Sequence, residues 1–319
     1  MRRLLLSAAK ILVSVALLYF ALRETNFADL TARLNAESAG WLAIAVTVAV
    51  LQVFAGALRW RAVGADCGAP LSKMQAMRYN MIGSFFNQTL PSAIGGDAMR
   101  LWLVARAGAG WRAATYSVFV DRAIGLIALA ALILFALPWS LNLIANPEGR
   151  LGLVLLDAAA LAAGLVFLLL HLLPFELLTR VWATRHFYSC SQIASRILFK
   201  RRQGAMVAAI SLLIHVLAVV IAWCVARAID APADFGQLLQ LIPPVMLITM
   251  IPISIAGWGL REASMGLAFS YAGLGSNEGV NVSLLFGAVY FVVGAIGGLI
   301  WVVSAEKAAK GDVAIEVRE

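Results

Sequence analysis

Long apolar runs separated by short charged loops organise this chain. Six runs approach the roughly 20 apolar residues a membrane-crossing helix needs: 4–22, 40–58, 114–137, 151–173, 205–226 and 280–304. Two further runs, near 79–104 and 235–274, are apolar but interrupted by Pro, Gly and polar residues. The pattern predicts an all-α polytopic membrane protein of about 8 membrane segments, six full spans plus two re-entrant or broken-helix hairpins. Run 4–22 follows Arg2 and Arg3 and could pass for a signal peptide. It has no convincing small-x-small cleavage site before Arg23, so it is read as a retained first span. Lys10 and Asp157 lie near span ends, from which they can snorkel.

Composition agrees. Of 319 residues, 62% are hydrophobic and 13% charged, against about half and about a quarter in soluble domains. No stretch has globular composition, and nothing suggests a nucleic-acid partner. The net charge of +8 points first to cytoplasmic loops rich in Lys and Arg and second to anionic headgroups. Cys67, Cys190 and Cys224 are scattered, so neither a disulfide framework nor a metal site is expected. His171, His186 and His215 are equally isolated and read as packed or interfacial residues. No cofactor motif is present; GxxxxGK[ST] in particular is missing.

Loop charge sets the orientation. Basic residues precede the first run (Arg2, Arg3), follow the second (Arg59, Arg61, Lys73, Arg78) and follow the first interrupted run (Arg100, Arg106, Arg112). They also crowd 174–204 and include Lys307 and Lys310 near the end. Loops 23–39, 138–150 and 273–279 are poorer in basic residues. Cytoplasmic N- and C-termini fit best. The first hairpin then enters and leaves from the cytoplasm, and the second from the outer side. The stretch 179–202 mixes Trp182, Phe187, Tyr188 and Phe199 with basic residues. It reads either as an interfacial amphipathic helix or as an ordinary positive-inside connector.

The two interrupted runs resemble each other. "PSAIGGDAMR" (91–100) and "PISIAGWGLR" (252–261) share P-x-x-I-x-G-x-x-x-R without gaps. The matches are Pro91 with Pro252, Ile94 with Ile255, Gly96 with Gly257 and Arg100 with Arg261. Each copy follows two full spans and precedes one. Three crossings separate them, so the second copy is inverted relative to the first. Inverted repeats with Gly/Pro-interrupted helices point to a midplane binding site. The repeats would be 1–147 and 148–319.

The chemistry of the breaks suits an anionic headgroup. Pro removes an amide donor, and Gly permits a non-helical turn. The half-helix that follows offers free amides and a positive dipole end to phosphate. Arg100 and Arg261 can add bidentate contacts, although Arg100 can equally be a positive-inside anchor. Asn87, Gln88 and Thr89 either line the polar side of the first hairpin or bond between helices. Asp121 and Arg122 form a further candidate. A helix starting near Trp111 puts Asp121 about 15 Å deep; one starting near Ala123 puts the pair at the interface. Adjacent residues do not face each other on a helix, so each needs its own partner.

These segments resemble the lysylphosphatidylglycerol synthase transmembrane-region family, also described as flippase-like. "SFFNQTLPSAIGGDAMRLWLV" and "IPISIAGWGLREASM" look like its two signatures, and "DRAIGL" (121–126) looks like its acidic-Arg pair. The chain is similar to the N-terminal flippase portion of the bacterial multiple peptide resistance factor, which moves an aminoacylated phospholipid to the outer leaflet. The sequence ends at Glu319 without a soluble aminoacyltransferase domain, so lysyl-lipid synthesis is not expected of it. What carries over is a membrane module with substrate-binding candidates Asn87, Gln88, Pro91, Gly95, Gly96, Asp97, Arg100, Asp121, Arg122, Gly257, Gly259, Arg261 and Glu262. Asp97 and Glu262 would bind a cationic part of the headgroup or position the arginines.

The resemblance implies a lipid translocase in a bacterial inner membrane, with a membrane lipid as substrate and a lipid-synthesis enzyme as a possible partner. Its lipid would be an anionic or aminoacylated phospholipid, or a polyprenyl- or hopanoid-type lipid. A membrane-embedded enzyme acting on a lipid-linked substrate is the alternative, with Asp97 or Glu262 as base; no HExxH or GxSxG motif favours it. A non-catalytic subunit of a lipid-modification pathway is the third reading. The oligomeric state is not legible.

Overall fold

The apolar runs fold as helices whose ends are set by caps and glycine breaks. The computed structural model describes residues 27–89, 95–173, 182–200, 202–251 and 257–304, with Tyr19, Leu22 and Ser254 besides. Among the described residues every regular element is helical. A short α1 (Phe27–Arg33) leads into α2 (Ala36–Asp66). Asn35 caps α2 reciprocally, its Oδ1 accepting the Ser38 amide at 3.0 Å while Ser38 Oγ accepts the Asn35 amide at 3.1 Å. The first interrupted run becomes α3 (Lys73–Thr89) and α4 (Gly95–Val104). A π-turn at Ala105–Ala109 feeds α5 (Gly110–Leu143), with Gly108 and Gly110 at positive φ where the chain kinks. After α6 (Pro147–Leu169) and α7 (Trp182–Ser195) come α8 (Gly204–Ala228), the second interrupted pair α9 (Phe235–Thr249) and α10 (Leu260–Tyr271), and α11 (Ser276–Val303).

Among the described residues, five helical runs are long and apolar enough to cross a membrane: Ala36–Asp66, Gly95–Leu143, Pro147–Leu172, Gly204–Ala228 and Ser276–Val303. They match five of the expected spans, and the chain is a multi-pass membrane protein. The expected first span, 4–22, lies outside the described residues apart from Tyr19 and Leu22, and Lys10 and Pro91 lie outside them too. By contrast α4 and α10 run 10 and 12 residues, about half a bilayer at 1.5 Å per residue.

Helices α2 and α8 pack most extensively. Small residues let them approach: Ala45 and Ala49 on α2, Ala218 and Ala222 on α8, all fully buried. Around this pair α3 packs on α11 and α9 packs on α5, while the members of each interrupted pair, α3 with α4 and α9 with α10, pack on each other. Side chains would block the α3–α11 approach. A Cβ at Gly297 would collide with the Met81 carbonyl, and one at Gly298 would meet the Phe85 ring at 2.8 Å.

Helix α6 lies at the periphery, with 11% of its span buried. It nevertheless corrects one expectation. Asp157 does not snorkel from a span end; it is 1% exposed, the eleventh of 23 residues in α6. It shares a helix face with Leu153 and Ala160, which pack in the cluster around Leu129 and Ile133 of α5. The stretch 179–202 is helical over 182–200. Its Tyr188, Cys190 and Ala194 are buried, and Trp182 and Phe199 are exposed. The three histidines are packed as expected: His186 Nδ1 bonds the Tyr116 hydroxyl, His171 Nδ1 lies 2.7 Å from the Leu168 carbonyl, and His215 is buried.

Overpacking a tight helix contact costs about 1–3 kcal/mol. Gly297→Leu should therefore lower the melting temperature of the purified protein in detergent by several degrees, while Gly152→Ala, which meets nothing within 4 Å, should leave it within about a degree. Equal melting curves would remove the α3–α11 contact as a stabilising feature.

Candidate functional site

Both interrupted pairs contribute to one cavity of about 530 Å³. Asn87 and Gln88 reach it from α3, Asp97 and Arg100 from α4, and Gly257 and Arg261 from the second pair. Asp121 and Arg122 of α5, Arg59 of α2 and His215 of α8 add to its polar lining, with Gln52, Asn80 and Tyr290 among the neutral groups. The volume falls within the range of small-molecule sites.

The depth of Asp121 follows from where α5 begins. The helix starts at Gly110, eleven residues earlier and so about 16 Å away. Asp121 is thus deep, not interfacial, and 2% exposed. It needs cations, and two reach it: Arg59 Nε at 2.9 Å from Oδ1 and Arg100 Nη2 at 3.1 Å from Oδ2. Arg122, about 100° further round the helix, turns to another carboxylate. Its Nε and Nη2 donate to Asp97 at 2.7 and 2.9 Å, the bidentate geometry that suits guanidinium. Arg100 Nη1 closes the chain on Asp97 at 3.2 Å. Three arginines thus alternate with two aspartates, one positive charge in excess. The Arg100 guanidinium also lies 4.0 Å from the Trp60 ring centroid, and its Nε has no hydrogen-bond partner among the described residues.

The second pair builds a smaller network. Arg261 donates to Glu262 Oε1 through Nη2 at 2.7 Å and Nε at 3.1 Å, and its Nε also approaches Ser283 Oγ at 3.1 Å. Glu262 Oε2 accepts the Gly259 amide at 2.6 Å, which caps α10. Glu262 is 0% exposed and sits behind Arg261, off the cavity wall. Space for both buried guanidinium groups comes from glycine: a Cβ at Gly287 would collide with Arg261, and one at Gly125 would lie 3.0 Å from Arg59 Nη1.

Other expected residues take structural parts. Asn87 Oδ1 accepts the Gly96 amide at 2.8 Å, and a Cβ at Gly96 would collide with the Gly83 carbonyl. Together these close α3 onto α4. Gly95 and Gly96 are helical, whereas Gly257 and Gly259 have φ of 80° and 81° and make the second turn that L side chains disfavour. The free amides expected for phosphate are partly used, Gly96 by Asn87 and Gly259 by Glu262. Thr89 bonds the Phe85 carbonyl. Sequence reasoning missed Arg59 as a site residue because it reads as loop charge. Its signal was helical spacing: Gln52, Gly56 and Arg59 fall at i, i+4 and i+7 on one face, and all three line the cavity. On α8, Ser211, which accepts from Arg59, and His215, which lines the cavity, fall at i and i+4.

A family model described as the lysylphosphatidylglycerol synthase TM region matches residues 7–298. The chain belongs to this family. A comparison with curated proteins returned no match. In this member of the lysylphosphatidylglycerol synthase TM family, residues from both segments that resemble the signatures line one cavity.

Removing one member of a buried ion pair costs about 3–5 kcal/mol. Asp121→Asn leaves Arg59 and Arg100 facing a neutral amide, so a marked loss of thermal stability in detergent is expected. Asp230→Asn, in the turn after α8, is the matched control and should melt like wild type. A variant at Asp121 that melts like wild type would mean that the network carries no stability.

Proposed function

We propose that this chain is a lipid translocase of a bacterial inner membrane, moving an anionic or aminoacylated phospholipid or a polyprenyl- or hopanoid-type lipid. The observation that carries this reading is the convergence of Arg100 and Arg261, one from each interrupted helix pair, on a single cavity among membrane-spanning helices. Among the described residues, four arginines line it against two lining aspartates, with Glu262 behind Arg261. That surplus positive charge suits a phosphate while the acyl or prenyl tails stay among the lipids.

Two inverted repeats, 1–147 and 148–319, form the transport unit, with eight membrane segments and both termini in the cytoplasm. The packing supports this division, since α3 meets α11 as α9 meets α5 around the α2–α8 pair. So do the two arginines. Arg100 bonds a residue 21 positions on, in α5, and Arg261 bonds one 22 positions on, in α11. The interrupted pairs are re-entrant hairpins entering from opposite faces, and rocking of one repeat against the other alternates access to the cavity.

Asp97 occupies the anion's place when the cavity is empty of lipid. It holds Arg122 and Arg100 through bonds of the kind a headgroup phosphate would take over. Arriving lipid exchanges with Asp97, and departing lipid lets it return, so the arginines are never left bare in the membrane.

Proteoliposome scrambling assays with fluorescent phospholipids test the reading. Arg100→Ala and Arg261→Ala should each slow translocation at least about tenfold, given charge-assisted bonds worth about 1.5–3 kcal/mol. Wild-type rates in Arg261→Ala would sink the assigned role. Asp97→Asn, which removes the internal competitor, should hold an anionic lipid several-fold more tightly yet release it more slowly; weaker retention of phosphatidylglycerol by this variant would rule out the exchange.

A further inference from the structure

His215 stands apart in the cavity wall. It is 4% exposed and lies eleven residues into α8 from Gly204, about 16 Å deep. Its Nε2 is 2.9 Å from the Gly125 carbonyl of α5. A carbonyl only accepts, so Nε2 carries the proton. In the neutral ring Nδ1 is then a bare acceptor. That nitrogen is buried and has no hydrogen-bond partner among the described residues, and an unmatched buried acceptor is unfavourable.

The neighbouring polar groups are committed elsewhere. Arg59 packs against Gly125 but donates to Asp121 and Ser211. Gln52 donates to the Ile214 carbonyl at 2.8 Å and accepts from the Tyr290 hydroxyl at 2.6 Å. Among the described residues, the cavity lining therefore combines a surplus of cationic donors with one buried acceptor that has no partner, Nδ1 of His215.

We propose that His215 determines headgroup specificity: its Nδ1 accepts a hydrogen bond from an N–H or O–H of the headgroup while the arginines hold the phosphate. The lipids selected are phosphodiesters whose headgroup carries a donor, an ammonium or a hydroxyl, over those whose headgroup has none. The inference rests on the reading of the cavity as a headgroup site and adds what that headgroup must bring besides its phosphate. Recognition of this kind discriminates well, because an analogue lacking the donor leaves the buried acceptor unpaired.

Phosphatidylethanolamine and phosphatidylcholine make the cleanest comparison, since both are zwitterions with a phosphate and only the first has N–H donors. Short-chain forms of each, with phosphatidylglycerol as the hydroxyl arm, are titrated into the purified full chain in detergent and followed by tryptophan fluorescence. Wild type should bind the ethanolamine and glycerol lipids about tenfold more tightly than the choline lipid. His215→Phe, which keeps a ring without nitrogen, should reduce that ratio to within about twofold, and His215→Gln, whose amide can both donate to Gly125 and accept, should restore part of it. Equal affinities in wild type overturn the proposal, even where His215→Phe fails to fold, as does a preference that survives in His215→Phe. If none of the three lipids binds, the headgroup reading itself falls; binding without preference removes only the role of His215.

Discussion

A charge enclosed by membrane-spanning helices is costly unless an opposite charge within the protein meets it. Asp121 is where this constraint acts most strongly. Its two oxygens engage Arg59 from one helix and Arg100 from another, so one side chain of α5 holds α2 and α4 together. Through Arg100 the tie extends to Asp97 and on to Arg122. The lean of the first interrupted pair, and with it the shape of the cavity, depends on this alternating row. Apolar packing alone would not specify that arrangement, because lipid tails are as apolar as leucine.

The row also needs room, and glycines provide it. Gly125 lies against Arg59 and Gly287 against Arg261. Gly83 and Gly96 bring α3 and α4 close enough for Asn87 to reach the Gly96 amide. Gly297 lets α11 approach the backbone of α3. Polar pairing and close approach are thus two sides of one design. A guanidinium can be desolvated at this depth only where the backbone comes near enough to enclose it, and backbones come near only where side chains are missing.

Helix runs were legible in the sequence because bilayer thickness fixes their length. The two breaks were legible because Pro, Gly and charge interrupt an apolar run at similar spacing. Arg100 and Arg261 stood out at matched positions of the two breaks, and Asp97 came with the family resemblance. Arg59 did not, since a charge at the end of an apolar run looks the same whether it faces headgroups or the interior. Asp157 was misplaced for a related reason. Hydropathy starts its run at 151, whereas the Asn146 cap and Pro147 start the helix earlier, and packing on α5, not distance from the run's end, buries the carboxyl. The amides at the heads of the half-helices were judged free because Asn87 meets Gly96 only through the fold, and because Glu262, three residues after Gly259, was read as a headgroup ligand instead of a local cap.

The two arginine networks differ in a way that bears on mechanism. Arg261 is closed on itself: its carboxylate is the next residue, fully buried, and also caps the helix that carries both. The carboxylate that holds Arg261 is itself tied to the α10 cap, which restrains this guanidinium. Arg100 sits instead within a row whose outer member, Arg122, has a side chain 39% exposed, and whose carboxylate Asp97 is shared between two cations. Sharing makes exchange inexpensive, because one partner remains when the other leaves. In the proposed function, an incoming phosphate would meet a restrained anchor at Arg261 and an adaptable one at Arg100. Under the proposed exchange, the conformational response to lipid begins on the side of Arg100 and Asp97, with Arg261 as the fixed point about which the headgroup turns.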